Sequence, residues 1–248
     1  MKIVGIIQAR TTSSRLPNKV LLDLESKTVL EHVYFRVLNS KLINKVIVAT
    51  SNHPSDNKIE KLCNSKKMNC FRGSLDDVLD RFYHCAKENN SDYVVRITAD
   101  CPLIDPIIID SIITSGLEGK YDYFGLGGEF PDGLDCTLIN ICALEHAQIN
   151  AELKSDREHV GPFIERNTQK KFKIGSLNLF KGLSNYRWTL DEESDYELIK
   201  IIYEKLYDPK KIFNTNEVLD LIAKNPHLSK INSHIIRNEG YLNSIKND

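Results

Sequence analysis

The sequence predicts an α/β protein with a mostly parallel central sheet flanked by helices. Short apolar runs rich in β-branched residues, Ile3–Ile7, Lys45–Thr50 and Tyr93–Thr98, alternate with stretches of helical periodicity, the rhythm of βαβ units. These runs lack polar alternation, which marks strands covered on both faces. At 248 residues and 41% hydrophobic content, the chain has enough apolar material for one large domain of this kind.

The elements follow in order. Ile3–Ile7 is the first strand and runs into a basic loop. Thr28 then caps a helix to about Leu38, with Val29, Leu30, Val33 and Val37 at helical spacing and Thr28-x-x-Glu31 as a capping box. Lys45–Thr50 is a strand, Ser51–Pro54 a loop and Asp56–Ser65 a helix with Ile59 and Leu62 inward. A short strand, Asn69–Phe71, leads to Ser74, which caps a helix with Asp77 at the capping-box position. Tyr93–Thr98 is the fourth strand; Asp105 as N-cap and Pro106 at the first helical position start the next helix.

Past residue 120 the rhythm changes. Tyr121–Phe124 and Leu134–Asn140 read as strands around a Gly/Pro-rich loop, followed by helices over Ala143–Ala151 and Asp156–Asn167. Lys171–Leu179 and Tyr186–Leu190 read as strands, the second returning to the sheet. Glu193–Tyr207 and Asn216–Ala223 are helices, and the polar tail beyond Leu228 is expected to be only partly ordered. Residues 1–230 form a single domain, the excursion at about 121–180 supplies acceptor contacts or a dimer surface, and 231–248 is a polar tail.

Thirty-three Lys and Arg against 34 Asp and Glu give a net charge of −1, so nothing global attracts nucleic acid or a membrane surface. Neither a leader pattern nor a run of about twenty apolar residues is present, and a cytoplasmic protein is expected. The six cysteines include no C-x-x-C pair, which argues against zinc and for reduced, buried thiols.

Arg10, Arg15 and Lys19, with the hydroxyls of Thr11, Thr12, Ser13 and Ser14, follow the first strand at the sheet edge where α/β proteins bind ligands. Cations and hydroxyls there suit a polyphosphate. The loop is neither G-x-x-x-x-G-K-[ST] nor G-x-G-x-x-G, so side chains rather than a glycine nest must do the binding. Asp100 follows the fourth strand at the same edge, ahead of the backbone-stiffening Pro102 and Pro106, and suits Mg2+ bridging to phosphate. Asp105 reads as a helix cap. Asp191, at the end of Tyr186–Leu190, is placed to reach a second metal-facing position, with Asp195 bracing the turn. Asp132 and Asp135 lie on a turn; Arg157, Glu158 and His159 open a helix. These groups suit a polar acceptor: Arg157 would read a carboxylate or phosphate, and His159 is a possible general base, although a lone His is more often structural.

Taken together, Gln8-Ala-Arg-x-x-Ser-x-Arg-Leu-Pro-x-Lys19-Val-Leu, Phe71-Arg-Gly-Ser-x-x-Asp-Val-Leu-Asp-Arg81, Arg96-x-Thr-x-Asp-x-Pro-Leu-Ile-Asp105, Pro131-Asp-Gly-Leu-Asp135, Asp156-Arg-Glu-His159 and Arg187-Trp-Thr-Leu-Asp191 resemble a known family. It is the cytidylyltransferases that activate acidic sugars, the CMP-Kdo and CMP-sialate synthetase group, and within it the spore-coat polysaccharide biosynthesis protein SpsF subgroup. The likeness runs from about residue 3 to 205. It implies a glycosyltransferase-A-like nucleotidyltransferase fold using CTP and Mg2+, a sugar acceptor, and pairing as a homodimer through the excursion. It places Arg10, Arg15 and Lys19 on the triphosphate and Asp100 and Asp191 on the metal. Gln8, Ala9, Ser14, Gly73, Asp77, Arg81 and Thr98 complete the nucleotide contacts it implies, and Arg10, Lys19, Asp100 and Asp191 the catalytic set. Thr11-Thr12 departs from the smaller or aliphatic residues of other members. The expected reaction is CMP transfer from CTP to a 3-deoxy-ulosonic or nonulosonic acid. The alternatives are a sugar-phosphate acceptor, a nucleotide-sugar-dependent glycosyltransferase, or a nucleotide-sensing module without turnover. A D-x-D motif, frequent in glycosyltransferases, is missing at Asp100-Cys-Pro.

Overall fold

In the computed structural model, which describes residues 1–237, 239–246 and 248, the strands in chain order are β1 (Ile3–Gln8), β2 (Asp23–Leu24), β3 (Lys27–Thr28), β4 (Lys45–Ser51), β5 (Cys70–Gly73), β6 (Tyr93–Thr98), β7 (Tyr123–Leu126), β8 (Thr137–Asn140) and β9 (Ile174–Leu177). Seven form one sheet in the order β5-β4-β1-β6-β8-β7-β9, while β2 and β3 pair as a small hairpin. β5, β4, β1 and β6 run parallel, so their carboxyl ends share one edge. β8 is antiparallel to both β6 and β7, and β9 runs parallel to β7. The excursion therefore extends the central sheet, which is α/β and mostly parallel as the sequence predicts.

Alternation along β1 divides the interior in two. Ile3 and Ile7 join the core beneath α1 (Val29–Leu38), α2 (Asn57–Lys66), α4 (Pro106–Glu118), α8 (Glu193–Leu206) and α9 (Thr215–Lys224). Val4 and Ile6 join the core beneath α3 (Val78–Glu88), α5 (Ile141–Asn150), α6 (Lys154–His159) and α7 (Pro162–Arg166). Full burial of each large apolar side chain is worth about 1.5–3 kcal/mol, which is why unalternating runs make these strands. The capping box of α1 is formed, with Thr28 accepting from the Glu31 amide and Glu31 from the Thr28 amide. Asp105 caps α4 with Pro106 in its first turn.

Three local expectations are corrected. Asp77, rather than Ser74, is the N-cap of α3: its carboxylate accepts from the Asp80 amide at 2.9 Å, and the Ser74 hydroxyl bonds the Asp77 amide in the preceding turn. The single helix expected over Asp156–Asn167 is two, α6 and α7, broken at Val160 (φ 69°, ψ −50°). There the Gly161 amide bonds the His159 carbonyl at 2.8 Å, a γ-turn that strains a β-branched residue and precedes the helix-starting Pro162. Tyr186–Leu190 forms no strand; it makes one isolated bridge, Asp132 to Arg187. Its backbone is satisfied across the edge of the sheet: Trp188 N donates to Asp132 O (2.6 Å) and Leu190 N to Asp100 O (2.8 Å). Gly133 permits this approach, because a Cβ there would sit 2.5–2.7 Å from the Trp188–Thr189 backbone at φ +101°.

The segment after Leu228 folds back across the carboxyl edge and includes α10 (Glu239–Ile245). Asn232 donates to Arg187 O and Asp195, and the Arg237 guanidinium donates to Phe130 O while lying over the Phe130 ring.

Candidate active site

The basic loop leaves β1 at Gln8 and Ala9, and the Ala9 amide donates to Ala49 O on β4 at 3.1 Å. A residue that the sequence suggested only as a helix start then fixes it. Asp56, fully buried at the start of α2, accepts from the Thr11 amide and Thr11 hydroxyl, both at 2.7 Å, and from the Ser51 hydroxyl. Burial would raise the Asp56 carboxyl, but these bonds hold it below the ordinary carboxylate range. The Asn18 amide returns to Thr11 O at 3.0 Å, closing the loop so that Arg10, Arg15 and Lys19 project from a fixed ring. Ser14 stands exposed on its outer side.

Lys19 connects loop to carboxylates. Its Nζ donates to Asp100 Oδ2 at 2.5 Å and to Asp191 Oδ1 at 2.6 Å. Burial would lower the Lys19 ammonium, but the two aspartates hold it above its ordinary value; likewise burial would raise the Asp100 carboxyl, and Lys19 and Thr98 hold it down. The Leu190–Asp100 backbone bond explains the convergence, because it places residue 191 beside residue 100. Asp195 braces the turn by accepting from the amides of Asp191 (2.9 Å) and Glu192 (3.1 Å). Arg187 pairs with Asp132, Asp191 and Asp195, each at 3.0 Å. Arg15 reaches Asp191 at 3.2 Å and Glu239 of α10 at 2.6 Å.

The opposite flank, toward α3 and α6, is wired differently. Arg81, on α3, is 1% exposed; its Nη1 donates to Ser74 O at 2.7 Å while its Nε has no partner among the described residues. Burial and then Arg10 nearby lower its guanidinium to about 10, with Asp56 and Asp77 opposing. Gly73 touches Arg81 from β5: a Cβ there would lie 2.9 Å from Arg81 Cγ. Arg96, on β6, bonds Gln8 Oε1 through Nη2 at 3.3 Å, and its buried Nε also has no partner among the described residues. Thr98 Oγ1 lies 3.0 Å from the Cys101 sulfur.

The residues expected to hold an acceptor divide. Arg157 is committed to Asp77 and to Gln148 O, joining α6 to the cap of α3. Glu158 reaches Arg10 at 3.4 Å. His159 bonds Ser244 of α10 at 2.8 Å, and burial lowers its imidazole below the ordinary value. Burial beside Asp135 pushes the Asp132 carboxyl up to about 6 despite Arg187 and Arg237. Burial also raises Asp135, whose Oδ2 accepts from the Gly133 amide at 3.0 Å.

Two carboxylate oxygens therefore converge on one positive atom, Lys19 Nζ. That donor set fits Mg2+, which takes one or two carboxylates together with phosphate oxygens. No cluster of three or more His, Cys, Asp or Glu suited to a metal occurs among the described residues, so a metal at this edge would meet a pair of carboxylates rather than a cage. No helix among those residues is long and apolar enough to cross a membrane.

Comparison with known proteins places this edge in context. A family described as cytidylyltransferase matches residues 4–219. An uncharacterised protein of Methanocaldococcus jannaschii is 40% identical, with 95% of this chain and 96% of that protein covered. The spore coat polysaccharide biosynthesis protein SpsF of Bacillus subtilis is 32% identical over 90% of this chain and 95% of its own. Among solved structures, a cytidylyltransferase from Leptospira borgpetersenii superposes with a TM-score of 0.87 at 32% identity, covering 96% of this chain and 100% of that one. The CMP:2-keto-3-deoxy-manno-octonic acid synthetase complexed with CTP shares the fold, with a TM-score of 0.64 at 16% identity over 83% of this chain and 100% of that one. This chain belongs to the cytidylyltransferase family.

Proposed function

We propose that this cytidylyltransferase transfers CMP from CTP to an acidic sugar, a 3-deoxy-ulosonic or nonulosonic acid, in surface polysaccharide or glycan biosynthesis. Pyrophosphate is the second product. The observation that carries the reading is the meeting of Lys19, Asp100 and Asp191 at the carboxyl edge, directly beside the ring that presents Arg10 and Arg15. The family's names supply the cytosine and the acidic sugar: SpsF serves a polysaccharide pathway, and the octonic acid synthetase holds CTP.

In this reading the triphosphate lies on the loop, with Arg10, Arg15 and Lys19 pairing its β- and γ-oxygens and Gln8, Ala9 and Thr98 beneath the nucleoside. Asp100 and Asp191 would hold Mg2+, which when bound neutralises charge on the phosphates. The acceptor oxygen attacks the α-phosphorus in line. The new P–O bond forms as the bond to the bridging α–β oxygen breaks, and pyrophosphate leaves carrying that electron pair. Lys19 and Arg15 offset the charge gathering on it, so positioning and electrostatics supply most of the acceleration. Asp191 is braced by Asp195 and Arg187, which fixes its carboxylate for this task. His159, whose imidazole burial lowers below its ordinary value, is the side chain suited to take the hydroxyl proton; a phosphate acceptor would need no base.

The reaction belongs to the cytoplasm, where CTP is made. Pairing as a homodimer through residues 121–180 is supported by the apolar Ile149, 70% exposed, and Leu153, 40% exposed, on that excursion. The decisive test is pyrophosphate release with each of the four NTPs against a panel of acidic sugars and sugar phosphates. CTP together with an octulosonic or nonulosonic acid should give turnover. Release only with a sugar phosphate would move the acceptor class, and glycosyl transfer from a finished nucleotide sugar without pyrophosphate would overturn the reading.

A further inference from the structure

Arg96 is a cation that the site, as so far described, does not use. It lies on an interior strand between β1 and β8, in register with Ile6 on one side and Thr137 on the other. Its side chain shares the sheet face that carries Gln8, Thr98, Thr137 and Tyr123, beneath α6. Among the described residues its one side-chain bond is the 3.3 Å contact with Gln8 Oε1, and its Nε is buried with no partner. Arg157 pairs with Asp77, Arg187 with three aspartates, and Arg10 and Arg15 with Glu158 and Asp191, while Arg81 donates to Ser74 O and, like Arg96, keeps a buried Nε unmet among the described residues. A guanidinium has five donors in a fixed fork; Arg96 is half-buried, and its buried Nε is the donor that is costly to leave unmet. Asp135, a carboxyl that Arg96 acts on from a distance, is bonded to the Gly133 amide and makes no ion pair with Arg96 among the described residues.

We infer that Arg96 reads an oxyanion of the acceptor, a carboxylate or phosphate carried by the sugar, by a bidentate charge-assisted pair. The assignment rests on the cytidylyltransferase reading above and narrows it to acceptors that are themselves anionic. Arg96 lies two residues, about 7 Å, behind Thr98 along β6, so an anion held there sits one sugar ring behind an oxygen presented at the edge. The ligand side of the pair completes what the fold leaves open. Gln8 holds one end of the fork in plane, so the pair forms without first ordering a free side chain. Discrimination follows from burial: a neutral acceptor would leave the guanidinium desolvated and unmatched, which penalises it twice.

The test is titration calorimetry of the intact protein, with Mg2+ and the α,β-methylene analogue of CTP bound, against two anionic probes. Each is paired with a neutral counterpart: 3-deoxy-manno-octulosonate with its methyl ester, and glucose 1-phosphate with glucose. The wild-type protein should bind at least one anionic probe about 10- to 100-fold tighter than its counterpart. R96Q should erase that preference and R96K should keep part of it, while affinity for the CTP analogue stays within about twofold in both. Because R96Q removes a half-buried charge that has no ion-pair partner among the described residues, its melting temperature should equal or exceed that of the wild type. The inference is overturned if neither anion is preferred, if R96Q keeps the preference, or if the loss falls on the CTP analogue instead. It is overturned too if R96Q melts well below wild type and R96K restores it, since the guanidinium would then be structural. A preference for glucose 1-phosphate alone, or a lack of turnover with every acidic sugar, would sink the acidic-sugar reading and leave Arg96 in place.

Discussion

The two flanks of the carboxyl edge hold similar numbers of cations under opposite conditions. Toward α8, Lys19, Arg15 and Arg187 are met by Asp100, Asp132, Asp191, Asp195 and Glu239. Toward α3, Arg81 and Arg96 each keep a buried Nε with no partner among the described residues. The first flank holds its geometry from internal charge pairs before any ligand arrives, which suits a triphosphate site whose reacting atoms must be placed closely. On the second, Arg157 and Arg10 are paired, but Arg81 and Arg96 carry charge that no ion pair among the described residues balances, which leaves it open to a ligand.

Breaking the balanced flank should cost most. Arg187→Ala strips three aspartates of their cation, two of them buried, and should remove about 3–5 kcal/mol of stability, lowering Tm by on the order of 10 °C. Differential scanning calorimetry reads this directly, and a drop under a degree or two would mean the network is not what holds that flank.

Lys19→Ala leaves Asp100 and Asp191 facing each other unbridged and, in the proposed reaction, removes a cation from the departing pyrophosphate. A fall of about 10²–10³ in kcat/KM for CTP is expected in a pyrophosphate-release assay, with Lys19→Arg recovering little because the fork does not match two separate carboxylates. Unchanged turnover in Lys19→Ala would remove Lys19 from the catalytic set.

An acid ramp reads a group outside both flanks, with Asp132 of the first flank, whose raised carboxyl gains a proton on folding, contributing with the opposite sign. His32 is 5% exposed and bonds Leu24 O at 2.7 Å; burial first, then Lys27 and Arg36, lower its pKa to about 4. The unfolded chain then binds the extra proton between pH 6.5 and 4. Stability is full above pH 6.5 and is lost as pH falls toward 4, by roughly 3 kcal/mol at 1.36 kcal/mol per unit. His32→Gln should flatten that slope relative to wild type, and identical slopes would show that other groups set it.

The smallest effect belongs to the unbalanced flank. Arg81→Met removes a buried charge without stranding an acid and should change stability by about 1 kcal/mol or less, in either direction. A loss as large as that of Arg187→Ala would erase the contrast between the flanks.

What the sequence disclosed was local or periodic. The capping box Thr28-x-x-Glu31 and the Asp105-Pro106 start need only residues within one turn of each other, and both stand where expected. Asp195 as a brace for Asp191 spans four residues and was legible for the same reason. The misread elements depend on partners far along the chain. Tyr186–Leu190 has the composition of a strand but meets residues 100 and 132 singly, and no local pattern encodes that. Val160 packs fully buried at a turn its residue type disfavours, so helical spacing across Asp156–Asn167 masks the break. Asp56 with Thr11, Arg96 with Gln8 and Glu239 with Arg15 join residues 45, 88 and 224 positions apart. Their chemistry was visible one residue at a time; their pairing was not.

The knot of bonds from Asp56 to Thr11 and Ser51 has a consequence for time rather than for energy. A loop tethered at Thr11 and closed by Asn18 does not search for its ligand; it waits already shaped. Nucleotide capture should then be a collision with a finished surface, its rate set by diffusion, charge and ionic strength, and not by a slow rearrangement of the chain. Cutting that knot by Asp56→Ala would turn a socket into a flexible strand, and the signature would be an association rate that saturates with CTP concentration instead of rising in proportion to it.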